Sequence, residues 1–328
     1  MRRREFIKGL GGAAAGWPFV AQAQQPTATR RIGVLMSTDD TDAQSKIGIS
    51  AFERGLQERG WRPGGNLQIE YRWTASNANL YRRFAQELVA LAPDVIIAAG
   101  ATGASELQQV TQTIPIVFLG TNDPIDRGLI KNMERPGGNA TGFIDFEFTM
   151  GRTWLDLLKQ LAPGVSRVAV IRNPVQFSGI GLAAVEKAAP SFNVEVVPID
   201  GRSAIEIEQN ITTFARGTNG GLIVTPSPFS VLFRDLLVKL ADQYKLPAVY
   251  FNKYFVAAGG LISCGPDLLE QYRGAAGYVD RILKGEKPGD LPVQPPAKFE
   301  VAVNLRTAKA LGLNVPSALV GRANEVIE

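Results

Sequence analysis

The chain has 328 residues, of which 45% are hydrophobic and 20% charged, as in a soluble globular protein. Its formal charge is +4 at pH 7, but residues 1–23 contribute a net +3, so the remaining +1 excludes a basic nucleic-acid-binding protein. The absence of histidine excludes His-containing catalytic triads and His-ligated metal sites, and the single Cys264 excludes an intrachain disulfide.

The first 23 residues predict an export signal. Arg3 and Arg4 are followed by Lys8, by a weakly apolar run over 9–20 and by a small-x-small pattern that ends at Ala23. This order is typical of a twin-arginine signal and predicts cleavage near Ala23 and a periplasmic location. The run is shorter than the ~20 residues of a membrane span, and no lipoprotein cysteine follows it, so a freely soluble protein is expected. The alternative is a basic, disordered N-terminus.

Beyond the signal, the first half of the chain alternates apolar runs with amphipathic stretches. Strands are predicted at 31–36, 67–71, 94–98 and 114–119, and helices at 43–59, 80–91 and 105–111. Continuous apolar strands separated by helices indicate a parallel sheet that is covered on both faces. A turn-forming sequence, Arg-Pro-Gly-Gly-Asn, then occupies 135–139, and a strand or connection follows at 141–146.

The same alternation starts again in the second half. Strands are predicted at 167–171, 194–197, 221–224 and 248–251, and helices at 154–161, 181–189, 205–215 and 232–244. The later pieces are a strand at 260–263, a helix at 268–283, a proline-rich connector at 288–296, a strand at 299–303 and a helix at 307–311. They are too few for a third domain and are expected to complete the first two. The predicted fold class is α/β, with two doubly wound parallel-sheet lobes.

Small polar residues follow most of the predicted strands. In open α/β sheets a ligand binds beyond the carboxyl ends of the strands, so these residues are the candidate binding site: Thr38, Asp39, Gly100, Ala101, Thr102, Thr121, Asp123, Asn173, Pro226, Ser227 and Asn252. Helix N-termini there favour a carboxylate, and Asp39 or Asp123 could bind an ammonium group. An apolar wall is expected from Phe146, Tyr250, Phe251 and Tyr254. Because Ser, Thr, Asp and Asn are also the preferred N-cap residues, capping is the alternative for each one singly.

No catalytic or cofactor motif is present in the sequence. Residues 100–103 lack the full G-x-G-x-x-G pattern, no Walker A sequence occurs, and no pair of carboxylates forms an obvious acid–base couple. Cys264 has no histidine partner and is expected to be a small residue near a strand end. We therefore expect no cofactor, no metal and no enzymatic activity.

Several stretches resemble one family. They are Thr-Ile-Pro-Ile-Val-Phe at 113–118, the segment 123–142 with its Arg-Pro-Gly-Gly-Asn-Ala-Thr-Gly block, the late helix at 272–285, and the C-terminal blocks at 304–313 and 323–328. Together they resemble the ABC-transporter substrate-binding family related to tryptophan and tyrosine uptake binders. The resemblance covers essentially the whole chain after the signal.

This resemblance implies a type I periplasmic-binding-protein fold, with two lobes joined by three crossings near Phe146, near Cys264 and in the connector at 288–296. The expected lobes are 31–146 with 266–290, and 147–265 with 296–328. Relatives often carry tyrosine in a Ser-Tyr-Gly-x-Asp stretch where this chain has Cys264, which places Cys264 and Asp267 beside the hinge and the ligand.

The function implied is a monomeric receptor that passes a small molecule to ABC permease subunits in the inner membrane. The expected ligand is an amino acid or another carboxylate, aromatic compounds included. Two alternatives stay open: a sensor subunit for a membrane signalling partner, and a periplasmic enzyme on the same scaffold. Neighbouring permease and ATPase genes would distinguish transport from sensing, and recovery of unchanged ligand would argue against an enzyme.

Overall fold

In the computed structural model, residues 29–145, 148–172 and 179–328 are described, and the predicted export signal lies outside them. No helix in these ranges is both long and apolar enough to cross a bilayer. Two separate sheets organise the chain, as the sequence predicts, and each is the centre of a lobe. The residue boundaries proposed above for the lobes stay a prediction.

The first sheet has the strand order β2-β1-β3-β4-β5, and all neighbouring strands are parallel. Its elements are β1 Arg30–Met36, α1 Ala43–Gln57, β2 Leu67–Trp73, α2 Ala78–Ala90, β3 Val95–Ala99, α3 Ala101–Val110, β4 Ile116–Leu119 and β5 Ala140–Phe143. Every residue of β3 and β4 is buried because helices cover both faces of the sheet. One hydrophobic core includes residues of α1, and the other includes residues of α2 and α3.

The second sheet has the order β12-β11-β10-β9-β8-β6-β7. In chain order, its first elements are α4 Met150–Leu161, β6 Arg167–Arg172, α5 Ile180–Ala188, β7 Glu195–Asp200, α6 Ala204–Ala215, β8 Gly220–Val224, α7 Pro228–Leu232, α8 Arg234–Gln243, β9 Ala248–Tyr250, α9 Lys253–Ala257 and β10 Ile262–Pro266. The remaining elements of the chain are α10 Leu268–Leu283, β11 Phe299–Asn304, α11 Leu305–Ala310, α12 Ser317–Arg322 and β12 Glu325–Ile327.

One pair of strands in this sheet, β10 and β11, is antiparallel. The chain leaves β10 for α10, whose buried residues belong to a core of the first lobe, and then returns at the edge of β10 as β11. Because the returning chain enters the second lobe beside the end of β10, β11 runs in the direction opposite to β10. The late pieces thus complete both lobes, as expected, with α10 in the first and β11 and β12 in the second.

The three connections between the lobes lie side by side. The backbone N–H of Ile144, just after β5, donates to the carbonyl oxygen of Gln294 at 3.0 Å. The carbonyl oxygen of Ile144 accepts a 3.1 Å hydrogen bond from Nε2 of Gln271, on α10. Residues of two connections and of α10, the helix that follows the third, therefore form one hydrogen-bonded cluster. The α/β fold class with two lobes and three crossings is confirmed.

Two local predictions need correction. The helix predicted over 232–244 is α8, but the short α7 before it was not predicted: Ser227 caps its start at Pro228, and the backbone leaves helical geometry at Phe233 between the two helices. Helix α9 was not predicted either; it begins where the Asn252 side chain accepts a hydrogen bond from the Tyr254 N–H.

Candidate functional site

A cavity of about 190 Å³ lies between the two lobes. The loops that follow β1, β3, β4 and β5 form one side of it, and the loops that follow β8, β9 and β10 form the other. The carboxyl ends of these strands therefore point at one space, as the general rule for open α/β sheets requires. This cavity is the candidate ligand site.

Eight of the predicted site residues line the cavity: Thr38, Gly100, Ala101, Thr102, Pro226, Ser227, Asn252 and Asp267. Phe251 and Tyr254 of the predicted apolar wall line it too, whereas Tyr250 lies in the core of the second lobe. Phe146 and Asn173 lie outside the described residues.

Four predicted site residues are not on the cavity wall. The carboxylate of Asp39 accepts hydrogen bonds from the N–H and the hydroxyl of Thr41, which lower its pKa and close a local turn. Thr121 is fully buried in the loop after β4, and Asp123 of the same loop adopts a left-handed backbone conformation with φ of +54°. The fourth, Cys264, is 3% exposed in the core of the second lobe, and burial raises its pKa to about 11.

Several lining side chains are helix caps. Ser227, Asn252 and Asp267 each accept a hydrogen bond from a backbone N–H in the first turn of α7, α9 or α10. Capping, the alternative considered for Ser227 and Asn252, is thus correct for both, and Asp267 is a cap as well. Since these three caps line the cavity, the N-termini of α7, α9 and α10 also lie at the cavity wall.

Helix α3 begins at the cavity without a side-chain cap. Its N-cap is Gly100, which adopts φ of +90°, a conformation that favours glycine, and offers no side chain to the first N–H groups. Ala101 and Thr102, the first residues of α3, line the cavity with it. Uncapped N–H groups and the positive end of the helix dipole are suited to a carboxylate.

Arg127 and Asp145 are charged residues of the wall that were not among the predicted site residues. The half-buried Arg127 donates from Nε to the carbonyl oxygen of Asn122 at 3.1 Å, and burial lowers its pKa. Burial raises the pKa of Asp145 to about 6, although a hydrogen bond with the neighbouring Asn122 side chain lowers this pKa in part. Asn122 belongs to a loop that was predicted, but it was not singled out.

Two tyrosines form an aromatic wall. Tyr254 on α9 packs edge-on against Phe251, with ring centroids 6.2 Å apart. Tyr272 on α10 lies so close to Gly48 of α1 that a side chain at Gly48 would overlap its ring. Burial raises the pKa of both tyrosines, and the charge of Asp145 contributes to the shift at Tyr254, so both phenols stay neutral.

The arrangement suits the binding of a small molecule. It offers a helix N-terminus and a guanidinium for an anion, a carboxylate for a cation, and aromatic faces for an apolar group. Within the described ranges, no group of three or more Cys, Asp or Glu side chains is arranged to hold a metal ion. The buried Cys264 thiol is not part of the wall.

Comparison with known proteins gives a consistent result. The sequence model of the family described as "ABC transporter substrate binding protein" matches residues 32–327. A protein named "Tyrosine-binding protein" from Clostridioides difficile (strain R20291) is 28% identical over 293 residues, which cover 85% of this chain and 84% of that protein.

Solved structures share the fold over almost the whole chain. A conserved domain protein from Vibrio cholerae superposes with a TM-score of 0.85 at 25% identity, covering 91% of this chain and 99% of that one. An ABC domain in complex with L-Trp from Streptococcus pneumoniae gives a TM-score of 0.84 at 22% identity, covering 92% and 100%. The second likeness is one of fold alone.

Proposed function

The chain belongs to the ABC transporter substrate-binding protein family, and on that premise we propose that it is the periplasmic receptor of an importer. It binds a small solute in the cleft between its lobes and delivers the solute unchanged to permease subunits in the inner membrane. One observation carries the proposal: loops from both sheets line the same cavity. A molecule bound there contacts both lobes at once only while the lobes are close together.

The proposed mechanism is a shift in the population of open and closed forms. A ligand that contacts both lobes favours the closed form by the difference between its affinities for the two forms. The three connections, two of which are hydrogen-bonded to each other at Ile144, are the proposed hinge. Permease subunits would then recognise the closed form.

The proposed ligand is an amino acid with an aromatic side chain. Arg127 and the N-terminus of α3 supply positive charge for the α-carboxylate. Tyr254 and Tyr272 offer ring surfaces for an aromatic side chain. The names of the tyrosine-binding relative and of the structure solved with L-Trp support the same class.

Calorimetric titration of the purified protein with L-tyrosine, L-tryptophan, L-phenylalanine, L-leucine and L-glutamate tests this proposal. We expect saturable binding of at least one aromatic amino acid and recovery of that ligand unchanged. A bound ligand at a hundredfold excess over Kd should also raise the free energy of unfolding by ~2.7 kcal/mol. If all five compounds and simple organic acids leave the protein unaffected, the ligand class is wrong; if the ligand is converted, the protein is an enzyme.

The periplasmic location rests on the predicted twin-arginine signal. Fractionation of cells that express the wild type and a variant with Arg3→Lys and Arg4→Lys tests it, because the lysine pair should keep the precursor in the cytoplasm. Equal amounts of both proteins in the periplasm would contradict a twin-arginine route.

A further inference from the structure

We propose that Asp145 and Asn122 are the recognition site for a protonated amine of the ligand, so that the protein selects ammonium-bearing solutes over the same acids without the amine. This inference rests on the proposed function and assigns a role to a part of the cleft that the carboxylate and aromatic contacts leave unused.

Among the described residues, two buried acceptor atoms at this site have no hydrogen-bond partner. The Asn122 side chain is 5% exposed and lines the cavity, and no described residue donates a hydrogen bond to its Oδ1. Oδ1 of Asp145, on the same cavity, is likewise buried and has no donor in the described part of the chain. Buried acceptors are rarely left unsatisfied, since each has lost its hydrogen bonds to water. Two such atoms at one cavity point to a donor that the ligand brings.

The missing donor is best supplied by an ammonium group. An –NH₃⁺ group has three N–H donors and no acceptor, so it can serve both oxygens and neutralise the carboxylate. Arg127 does not take this role, because its Nε is bound to the carbonyl oxygen of Asn122 and it forms no ion pair with Asp145 within the described residues. A neutral hydroxyl would offer one donor and no charge.

The backbone holds the site open. Gly120 lies opposite the carboxylate, and a Cβ there would stand 3.2 Å from Oδ2 of Asp145, so the glycine leaves room beside the group. The adjoining residue, Ile144, is bonded through its N–H to Gln294 and through its carbonyl oxygen to Gln271. Asp145 is therefore fixed next to the hinge, where a contact with the ligand acts on both lobes.

Binding at this site should depend on pH, since only the ionised carboxylate attracts an ammonium group. The titratable and charged side chains around the cavity are Arg127 on the loop after β4, Asp42 before α1, Lys253 and Tyr254 on α9, and Asp267 and Tyr272 at α10. Burial raises the pKa of Asp145 to about 6 in the free protein. At pH 5 the carboxyl is about one-tenth ionised, and affinity for an amine should be roughly tenfold lower than at pH 7.5.

The test compares matched ligands with and without the amine. The pairs are L-tryptophan with indole-3-propionate and L-tyrosine with 3-(4-hydroxyphenyl)propionate, titrated by calorimetry into the wild type, Asp145→Asn and Asp42→Asn. Asp42→Asn is the control: it removes a carboxylate from the same cavity wall, and asparagine still caps α1 in place of Asp42, which accepts from the Ser45 N–H.

We expect the wild type to prefer the amino acid of a pair by about 100-fold, and Asp145→Asn to reduce this preference to less than about tenfold. Asp42→Asn should keep the preference, and Asp145→Asn should also lose the tenfold weakening between pH 7.5 and pH 5. An unchanged preference in Asp145→Asn overturns the inference. If the wild type binds the acids as tightly as the amino acids, the ammonium site is overturned and the receptor function stands. If the wild type binds neither the acids nor the amino acids, both the ammonium site and the proposed ligand class are overturned.

Misfolding of Asp145→Asn is excluded by a separate measurement. The variant without ligand should unfold at a temperature equal to or above that of the wild type, because asparagine carries no charge to bury. A lower unfolding temperature, with binding of both members of a pair lost together, would assign Asp145 a structural role and overturn the proposal.

Discussion

The backbone N–H of Ile144 donates a 3.0 Å hydrogen bond to the carbonyl oxygen of Gln294. These residues belong to two different connections between the lobes, and the side chain of Gln271, in the helix α10 that follows the third connection, donates to the carbonyl oxygen of Ile144. The hydrogen bonds hold two connections against each other and against the first lobe. A relative motion of the lobes should therefore change the backbone dihedrals of these two connections together.

Removal of this link should weaken both the fold and the hinge. In Gln271→Ala the partly buried carbonyl oxygen of Ile144 loses its side-chain partner, and the free energy of unfolding should fall by about 1 kcal/mol. Urea unfolding measures this loss, and small-angle scattering with and without ligand measures closure. The control is Gln209→Ala on the exposed face of α6, which should change neither quantity. Equal values for the two variants would show that the Gln271 contact has no effect.

Cys264 should be unreactive in the folded protein. It is 3% exposed, and burial raises its pKa to about 11, so the thiolate needed for reaction with a disulfide reagent is scarce at pH 8. We expect an aromatic disulfide reagent to label no thiol in the native protein and one thiol per chain in urea. Rapid labelling under native conditions would place Cys264 at an accessible surface.

The Asp145 carboxyl should reduce stability at neutral pH. Its pKa rises from 3.8 to about 6 on folding, so between these values the folded protein binds more protons than the unfolded chain. The free energy of unfolding should therefore fall as the pH rises through this window. The shift corresponds to roughly 3 kcal/mol, and partial exposure to the cleft reduces the expected effect to about 2 kcal/mol.

Urea unfolding of the wild type and Asp145→Asn at pH 4 and pH 7.5 measures this contribution. The variant should be more stable than the wild type by about 2 kcal/mol at pH 7.5 and nearly equal to it at pH 4. A constant difference between the two proteins across this range would contradict the raised pKa.

Gly265 on β10 should tolerate no side chain. A Cβ at this position would overlap the carbonyl oxygen of Phe251, which lies on the cavity wall. Gly265→Ala should therefore destabilise the protein by at least about 2 kcal/mol and displace the loop after β9. Gly321 of α12 is the matched control, since no atom of the described residues beyond its own turn of helix lies within 4 Å of its Cβ position, and alanine there should be neutral or stabilising. Urea unfolding of both variants measures the two changes in the free energy of unfolding, and equal changes would contradict the prediction.

The sequence is enough to predict the fold because its signals are strong and local. The apolar runs of β3 and β4 require two covered faces, and strands alternating with helices require parallel order. The antiparallel β11 could not be predicted in the same way, because its direction depends on the return of the chain from the other lobe. The short α9 was missed because a helix of five residues leaves little periodicity.

The candidate site was predicted in outline and missed in part. Residues directly after a strand, such as Thr38 and Asn252, follow from the rule for α/β sheets. Asp145 follows β5 in the same way, but the strand was predicted to run through residue 146 and so covered it. Arg127 lies several residues beyond β4, and Tyr272 lies inside a helix. Their presence at the cavity depends on packing that spacing does not reveal.

The central claim is that a solute binds between the lobes, and a variant that fills the cavity tests it most directly. Ala101→Trp places a bulky ring at the N-terminus of α3, on the cavity wall. Calorimetric titration with the aromatic amino acid that binds the wild type should show one site per chain for the wild type and none for the variant, with unchanged far-UV circular dichroism. Binding to Ala101→Trp as tight as to the wild type would place the ligand outside the cleft and contradict the account.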